Sequence, residues 1–127
     1  MHENKSNKIL IADDELSIRK LYQRELDKDG YQVVVALDGT DALNKVRNEQ
    51  PDLVILDIRM PGMDGMETMS QILEEKNDLP VIINSAYSTY QDNFMSWAAD
   101  AYCVKSSDMT ELKKTVEEVL EKRSVAQ

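Results

Sequence analysis

The chain has 127 residues, enough for one domain with its own core and too few for two ordinary ones. Its 24 acidic and 15 basic residues give a formal charge of -9, which argues against a phosphate-backbone binder and for basic, cationic or metal-mediated partners. The single cysteine, Cys103, excludes an internal disulfide and, with its apolar neighbours, reads as a small buried hydrophobe in a reducing compartment. The polar start of the chain and the short apolar run 9–12 suit neither a signal peptide nor a membrane span. A cytoplasmic protein is therefore expected, with no membrane insertion and no direct nucleic-acid contact. His2, the only histidine, lies in a tail prone to fraying and is given no role.

Residues 8–12 read as a first strand, and Asp13-Asp14-Glu15 end it with carboxylates that also suit the start of a helix. Ile18, Leu21, Tyr22 and Leu26 recur at helical spacing until Asp29-Gly30, where glycine can adopt a left-handed cap. A β-branched second strand spans 31–36. After the Asp38-Gly39 turn, Ala42, Leu43 and Val46 mark a helix that ends before Pro51. Leu53, Val54, Ile55 and Leu56 form a continuous apolar run, the pattern of a strand buried on both faces of a parallel sheet, and Asp57 closes it. Pro61, Gly62 and Gly65 then punctuate a loop, and a helix follows from about 66 to 76. Residues 79–83 give a fourth strand ending in Asn84-Ser85. Tyr90, Phe94, Trp97 and Ala98 form a fourth helical stripe, and 101–104 a short fifth strand. Asp108 and Glu111 resemble a capping box for a last helix carrying Leu112, Val116, Val119 and Leu120.

Five repeats of strand then helix predict an α/β domain, a doubly wound parallel sheet with helices on both faces. Ligands of such sheets bind beyond the carboxyl ends of the strands. Those ends carry Asp13 and Asp14, Asp57, Ser85 and Lys105. Each has an ordinary reading alone, as a cap, a turn residue, a loop hydroxyl or a solvated charge; together they form a site. Three clustered acids repel one another, so a cation or the Lys105 ammonium must compensate them, and oxygen-only ligands point to Mg²⁺. A carboxylate can act as a nucleophile toward phosphorus, and phosphoryl transfer needs chiefly positioning and charge neutralisation. Asp57 is the central acid. Lys105 and the Ser85 hydroxyl would each meet a phosphoryl oxygen.

Asp13-Asp14, Asp57 with the following Ile-Arg-Met-Pro-Gly-Met-Asp-Gly65, Asn84-Ser85-Ala86-Tyr87, and Ala101-Tyr102-Cys-Val-Lys105 together resemble a bacterial two-component response-regulator receiver domain, of the CheY-like family. The resemblance covers about residues 8–122, so 1–127 is expected to be one receiver domain with short polar tails. It implies a five-stranded flavodoxin-like sheet of order 2-1-3-4-5. It further implies Mg²⁺-dependent transfer of a phosphoryl group to Asp57 from a phosphohistidine on a histidine kinase or phosphotransfer protein. Catalytic roles then fall to Asp57, Lys105 and Ser85. Metal ligation falls to Asp13, Asp14, Asp57 and the Arg59 backbone carbonyl, and a switch pair to Ser85 and Tyr102. The domain would catalyse its own phosphorylation and dephosphorylation without turning over a separate substrate, and would signal to a downstream protein target or output domain.

Three positions depart from the family pattern. Ser106 follows the lysine where a cis-linked proline is common, and a non-proline cis bond would cost roughly 3–4 kcal/mol. Ser85 to Lys105 is 20 residues, about two fewer than usual, which shortens the fourth helix or its loops. Arg59 and Tyr87, each two positions past a site residue, are bulky; either they flank the phosphoryl site or they are plain solvated side chains. A phosphorylation-independent interaction module is the alternative, opposed by the intact acid, hydroxyl and lysine set. A nucleotide- or flavin-binding module would need a glycine-rich loop where Asp13, Asp14 and Glu15 stand. A metal-dependent phosphatase would release phosphate from many equivalents of a stable monoester.

Overall fold

In a computed structural model of the chain, residues 7–58, 65–87 and 99–126 are described, with side chains to residue 122. Five parallel strands, β1 (Lys8–Ala12), β2 (Gln32–Ala36), β3 (Leu53–Leu56), β4 (Val81–Ser85) and β5 (Ala101–Val104), form one sheet of order β2-β1-β3-β4-β5. The described helices are α1 (Leu16–Lys28), α2 (Gly39–Glu49), α3 (Gly65–Glu75) and α4 (Thr110–Ala126). The expected α/β architecture and strand order are both present. The stripe Tyr90, Phe94, Trp97 and Ala98 lies outside the described residues, as do Arg59, Pro61 and Gly62.

Strand pleating divides the core. Ile9, Ile11, Leu53, Ile55, Ile82 and Cys103 face α1 and α4, where they meet Tyr22, Leu26, Leu112 and Val116. Leu10, Ala12, Val54, Leu56, Val81 and Ile83 face the other way, toward Leu43, Val46, Met69 and Ile72 of α2 and α3. Because β1 and β3 are covered on both faces, their residues are apolar without alternation, which is why those strands stood out in the sequence. No helix among the described residues is long and apolar enough to cross a membrane.

Several boundaries differ from expectation. Strand β2 starts at Gln32, since Tyr31 donates its N–H to Leu26 and belongs to the turn closing α1. That turn uses Gly30 at φ 97, as the sequence indicated. Strand β4 starts at Val81, two residues late, and extends through Asn84 and Ser85, which pair with Cys103 and Val104. Helix α2 ends with Gln50 in the left-handed region just before Pro51. The capping box at α4 is only half made: Asp108 accepts from the Thr110 N–H at 2.9 Å, but its own N–H goes to Ser106 Oγ at 3.1 Å rather than to Glu111.

Gly65 is a helix residue, and it lets the start of α3 fold back onto the residue after Asp57. Its N–H donates to the Ile58 carbonyl at 3.1 Å. A Cβ there would stand 2.4 Å from Ile58 Cα, closer than any contact the backbone can keep. Gly65→Ala should therefore displace the β3 end and destabilise the fold by about 1–3 kcal/mol, read as a lower urea midpoint with unchanged slope.

Candidate functional site

The order of the sheet reverses between β1 and β3, each a neighbour of the other but continuing to opposite edges. Ala12 pairs with Leu56, so the residues that follow them, Asp13 and Asp57, emerge side by side. Their backbones are pinned there: the Asp13 N–H donates to the Ala36 carbonyl at 3.1 Å, and that of Asp57 to the Ala12 carbonyl at 2.9 Å. Both carboxylates are buried, at 2% and 5% exposure, whereas neighbouring Asp14 is exposed. One carboxylate oxygen from each of Asp13, Asp14 and Asp57 lies within 4.8 Å of the others. Such a set of hard oxygen donors, open on the Asp14 side, fits a divalent cation that keeps part of its water.

Lys105 reaches this group from the far side of β4. Its N–H donates to the Ser85 carbonyl at 2.6 Å, a continuation of the β4–β5 ladder beyond Val104. The ammonium lies 2.9 Å from Asp13 Oδ2, 3.4 Å from Asp57 Oδ2 and 3.4 Å from Glu15 Oε1. Burial pulls its pKa down, but the hydrogen bond and charge of Asp13, then the charge of Asp57 and the hydrogen bond to Glu15, outweigh burial and hold it above the ordinary lysine value. The described residues contain no cis peptide bond, so the Lys105-Ser106 linkage is trans and the ammonium arrives without the family's cis proline.

Ser85 is buried at the end of β4 and its Oγ accepts the Tyr87 N–H at 3.0 Å. The Tyr102 hydroxyl donates to the Tyr87 carbonyl. The two side chains expected to form a switch pair thus both hold the main chain of Tyr87, whose side chain is exposed. The structure brings Asp13, Asp14, Asp57 and Lys105 together, with Ser85 at the adjoining strand end; Arg59 lies outside the described residues.

An acid-ended β1 and β3, with a lysine from β5 between their carboxylates, is the constellation that the sequence resemblance implied. The sequence profile of the response regulator receiver domain matches residues 9–117. The chain belongs to this family. Among curated relatives, it is 35% identical over 123 residues to the alkaline phosphatase synthesis transcriptional regulatory protein PhoP of Bacillus subtilis, covering 95% of this chain and 51% of that one. The chain spans about half the length of the curated relatives it matches. Among solved structures it is similar to the response regulator TrrA of Thermotoga maritima in complex with Mg²⁺-BeF, at TM-score 0.83 and 45% identity, covering 88% of this chain and 97% of that one. TrrA in complex with the histidine kinase ThkA matches with TM-score 0.82 and 45% identity over 90% of this chain and 98% of that one.

Two contributors to this receiver site escaped the sequence reading. Glu15, which reads as part of a helix start, stands at the N-cap of α1 without a side-chain capping hydrogen bond, and its carboxylate accepts from Lys105 instead. Arg19, one turn into α1, donates to the Asp13 carbonyl at 2.7 Å. Acidity at Glu15 was visible; nothing in the spacing of Arg19 marked it.

Removing the ammonium while keeping the stem, in Lys105→Met, leaves two buried carboxylates uncompensated and should cost on the order of 2 kcal/mol at pH 7. Because the folded-state pKa of Lys105 is raised, its stabilising contribution is complete below the ordinary lysine value of 10.5 and is lost only as pH rises through the higher folded value. The difference between wild type and variant in urea unfolding should accordingly stay flat from pH 7 to about pH 9.

Proposed function

We propose that this receiver domain accepts a phosphoryl group onto Asp57 from a phosphohistidine on a histidine kinase or phosphotransfer protein, and signals by a change of conformation to a downstream protein target or output domain. The observation that carries this reading is the Lys105 ammonium, set between Asp13 and the buried strand-end Asp57. The likeness to TrrA, seen elsewhere with Mg²⁺-BeF and with a histidine kinase, supports it. Residues 1–127 are read as one such domain with its core at about 8–122, acting in the cytoplasm. Its charge of -9 favours protein partners over nucleic acid.

Asp57 is ionised and needs no general base. One of its oxygens attacks phosphorus; a P–O bond forms, the P–N bond of the donor breaks, and the electron pair stays on the imidazole nitrogen, which then takes a proton. The Lys105 ammonium neutralises one equatorial oxygen. Ser85, whose Oγ accepts from Tyr87, keeps its own proton to donate to another. Asp13, Asp14 and Asp57, with the Arg59 carbonyl, would hold Mg²⁺, which would supply further neutralisation of phosphoryl charge. Attack of water on the acyl phosphate restores Asp57, so the domain resets itself and turns over no separate substrate. The Ser85 hydroxyl moving to the phosphoryl group releases the Tyr87 N–H, and Tyr102, tied to the carbonyl of the same residue, follows.

Incubation with acetyl phosphate and Mg²⁺ should add one hydroxylamine-labile phosphoryl group per wild-type chain and none to Asp57→Asn; labelling of that variant at the normal rate would show the acceptor to be elsewhere. Asp14→Ala should raise the Mg²⁺ requirement and slow labelling together. Beryllofluoride should alter amide hydrogen exchange mainly between residues 86 and 107, and changes confined to residues 8–80 would remove this segment from the output.

A further inference from the structure

On the α1 and α4 face of the sheet, among Ile82, Leu26, Val116 and other apolar side chains, one chain of polar groups is buried. The Tyr22 hydroxyl donates to Asn84 Oδ1 at 2.6 Å, and Asn84 Nδ2 donates to the Cys103 carbonyl at 3.0 Å. Tyr22, Asn84 and Cys103 are each at least 97% buried. Burial, ahead of smaller charge effects, pushes the Tyr22 hydroxyl up to about 12, so it stays a donor at any ordinary pH.

Packing alone does not require these groups. An apolar pair of similar volume would fill the space without desolvating a hydroxyl and an amide. What the polar chain adds is a link between elements at one level of the sheet. Asn84 immediately precedes Ser85, Cys103 lies two residues before Lys105, and Asn84 and Cys103 are register partners. Tyr22 ties both to α1, whose first turn is itself anchored to the acidic end through Arg19 on the Asp13 carbonyl and Glu15 on Lys105. Beside the pair is a hollow of about 380 Å³, lined also by Ser106, Met109 and Leu112. The hydrogen bonds brace the ends of β4 and β5 on that side.

We propose that Tyr22 and Asn84 are positioning residues for phosphoryl acceptance, locking the ends of β4 and β5 to α1 so that Ser85 and Lys105 hold a fixed reach toward Asp57. This rests on the reading of Asp57 as acceptor. Asp13, Asp14 and Asp57 follow β1 and β3, outside the braced strands, so the pair acts chiefly on Ser85 and Lys105 and less on the acids.

The test uses the full chain, saturating acetyl phosphate and a Mg²⁺ titration, on Tyr22→Phe, Asn84→Leu and the double variant. Each single change strands a buried polar partner and lowers stability; the double change removes both members of the Tyr22–Asn84 pair, leaving only the Cys103 carbonyl without its side-chain donor, and recovers part of it. Positioning predicts that the labelling rate falls about tenfold in all three, the double variant included, while the Mg²⁺ concentration at half-maximal rate stays within about twofold of wild type. A double variant that regains the wild-type rate along with its stability overturns the proposal, as does a rate loss matched by an equal loss of Mg²⁺ affinity. Tyr22→Phe keeps the ring and its packing; if it folds and labels at the normal rate, the proposal fails on that variant alone. Wild type that takes no label, or label that survives Asp57→Asn, overturns the acceptor reading and this inference with it, whereas normal labelling of wild type and of Tyr22→Phe overturns only the inference.

Discussion

Asp13 and Asp57 end neighbouring parallel strands with almost no exposure, and two such carboxylates side by side would repel each other and suffer the loss of their water. The Lys105 ammonium, in reach of both, offsets this. Everything else about the site follows from the need to deliver that cation. Lysine has a long enough stem to reach inward from β5, which lies two strands from β3, and the parallel order puts the carboxyl ends of all three strands on one rim. Had any of these strands run antiparallel, its end residue would have fallen on the opposite rim.

The compensation is incomplete. Three carboxylates, those of Asp13, Asp14 and Asp57, face one ammonium, so two negative charges remain before Glu15 is considered. An incoming phosphoryl group would add to them. A site of this charge is unfavourable for phosphoryl transfer unless a divalent cation shares it, which makes the metal requirement a consequence of the acid count and not a separate feature. The exposure of Asp14 beside two buried acids gives that cation an open, hydrated approach.

Much of this was legible in the sequence because the relevant residues obey strong local rules. The unbroken apolar runs at residues 9–12 and 53–56 read as strands, the second with the pattern of one covered on both faces, and a carboxylate directly after each stands out by contrast. Lys105 is legible from its place after β5 and from family resemblance, although Ser106 departs from the family pattern. Less visible were features set by tertiary approach. Gly65 read as loop punctuation, and only the 2.4 Å approach to Ile58 explains why no side chain is tolerated there. Glu15 and Asp108 carried correct chemistry but found different partners from those that sequence spacing favours, Lys105 for one and a Ser106-supported turn for the other.

Tyr22 shows the limit of periodicity most clearly. Its place in the stripe Ile18, Leu21, Tyr22, Leu26 is that of a core residue, and its ring is one. The hydroxyl is the part that pattern reading discards. Asn84 belongs to a motif of the family resemblance, but as the polar end of an apolar strand it is given no role of its own. Neither residue alone departs from expectation enough to attract notice, yet a buried tyrosine hydroxyl demands a partner, and a strand-end asparagine one residue before Ser85 supplies it. In a sheet whose inward positions are otherwise mostly apolar, the pattern breaks where the buried polar side chains Asn84 and Ser85 stand together at the end of β4, next to the strand end that carries Lys105. Such breaks collect where a protein must hold geometry against relaxation, because hydrogen bonds fix direction and distance where apolar contacts fix only volume.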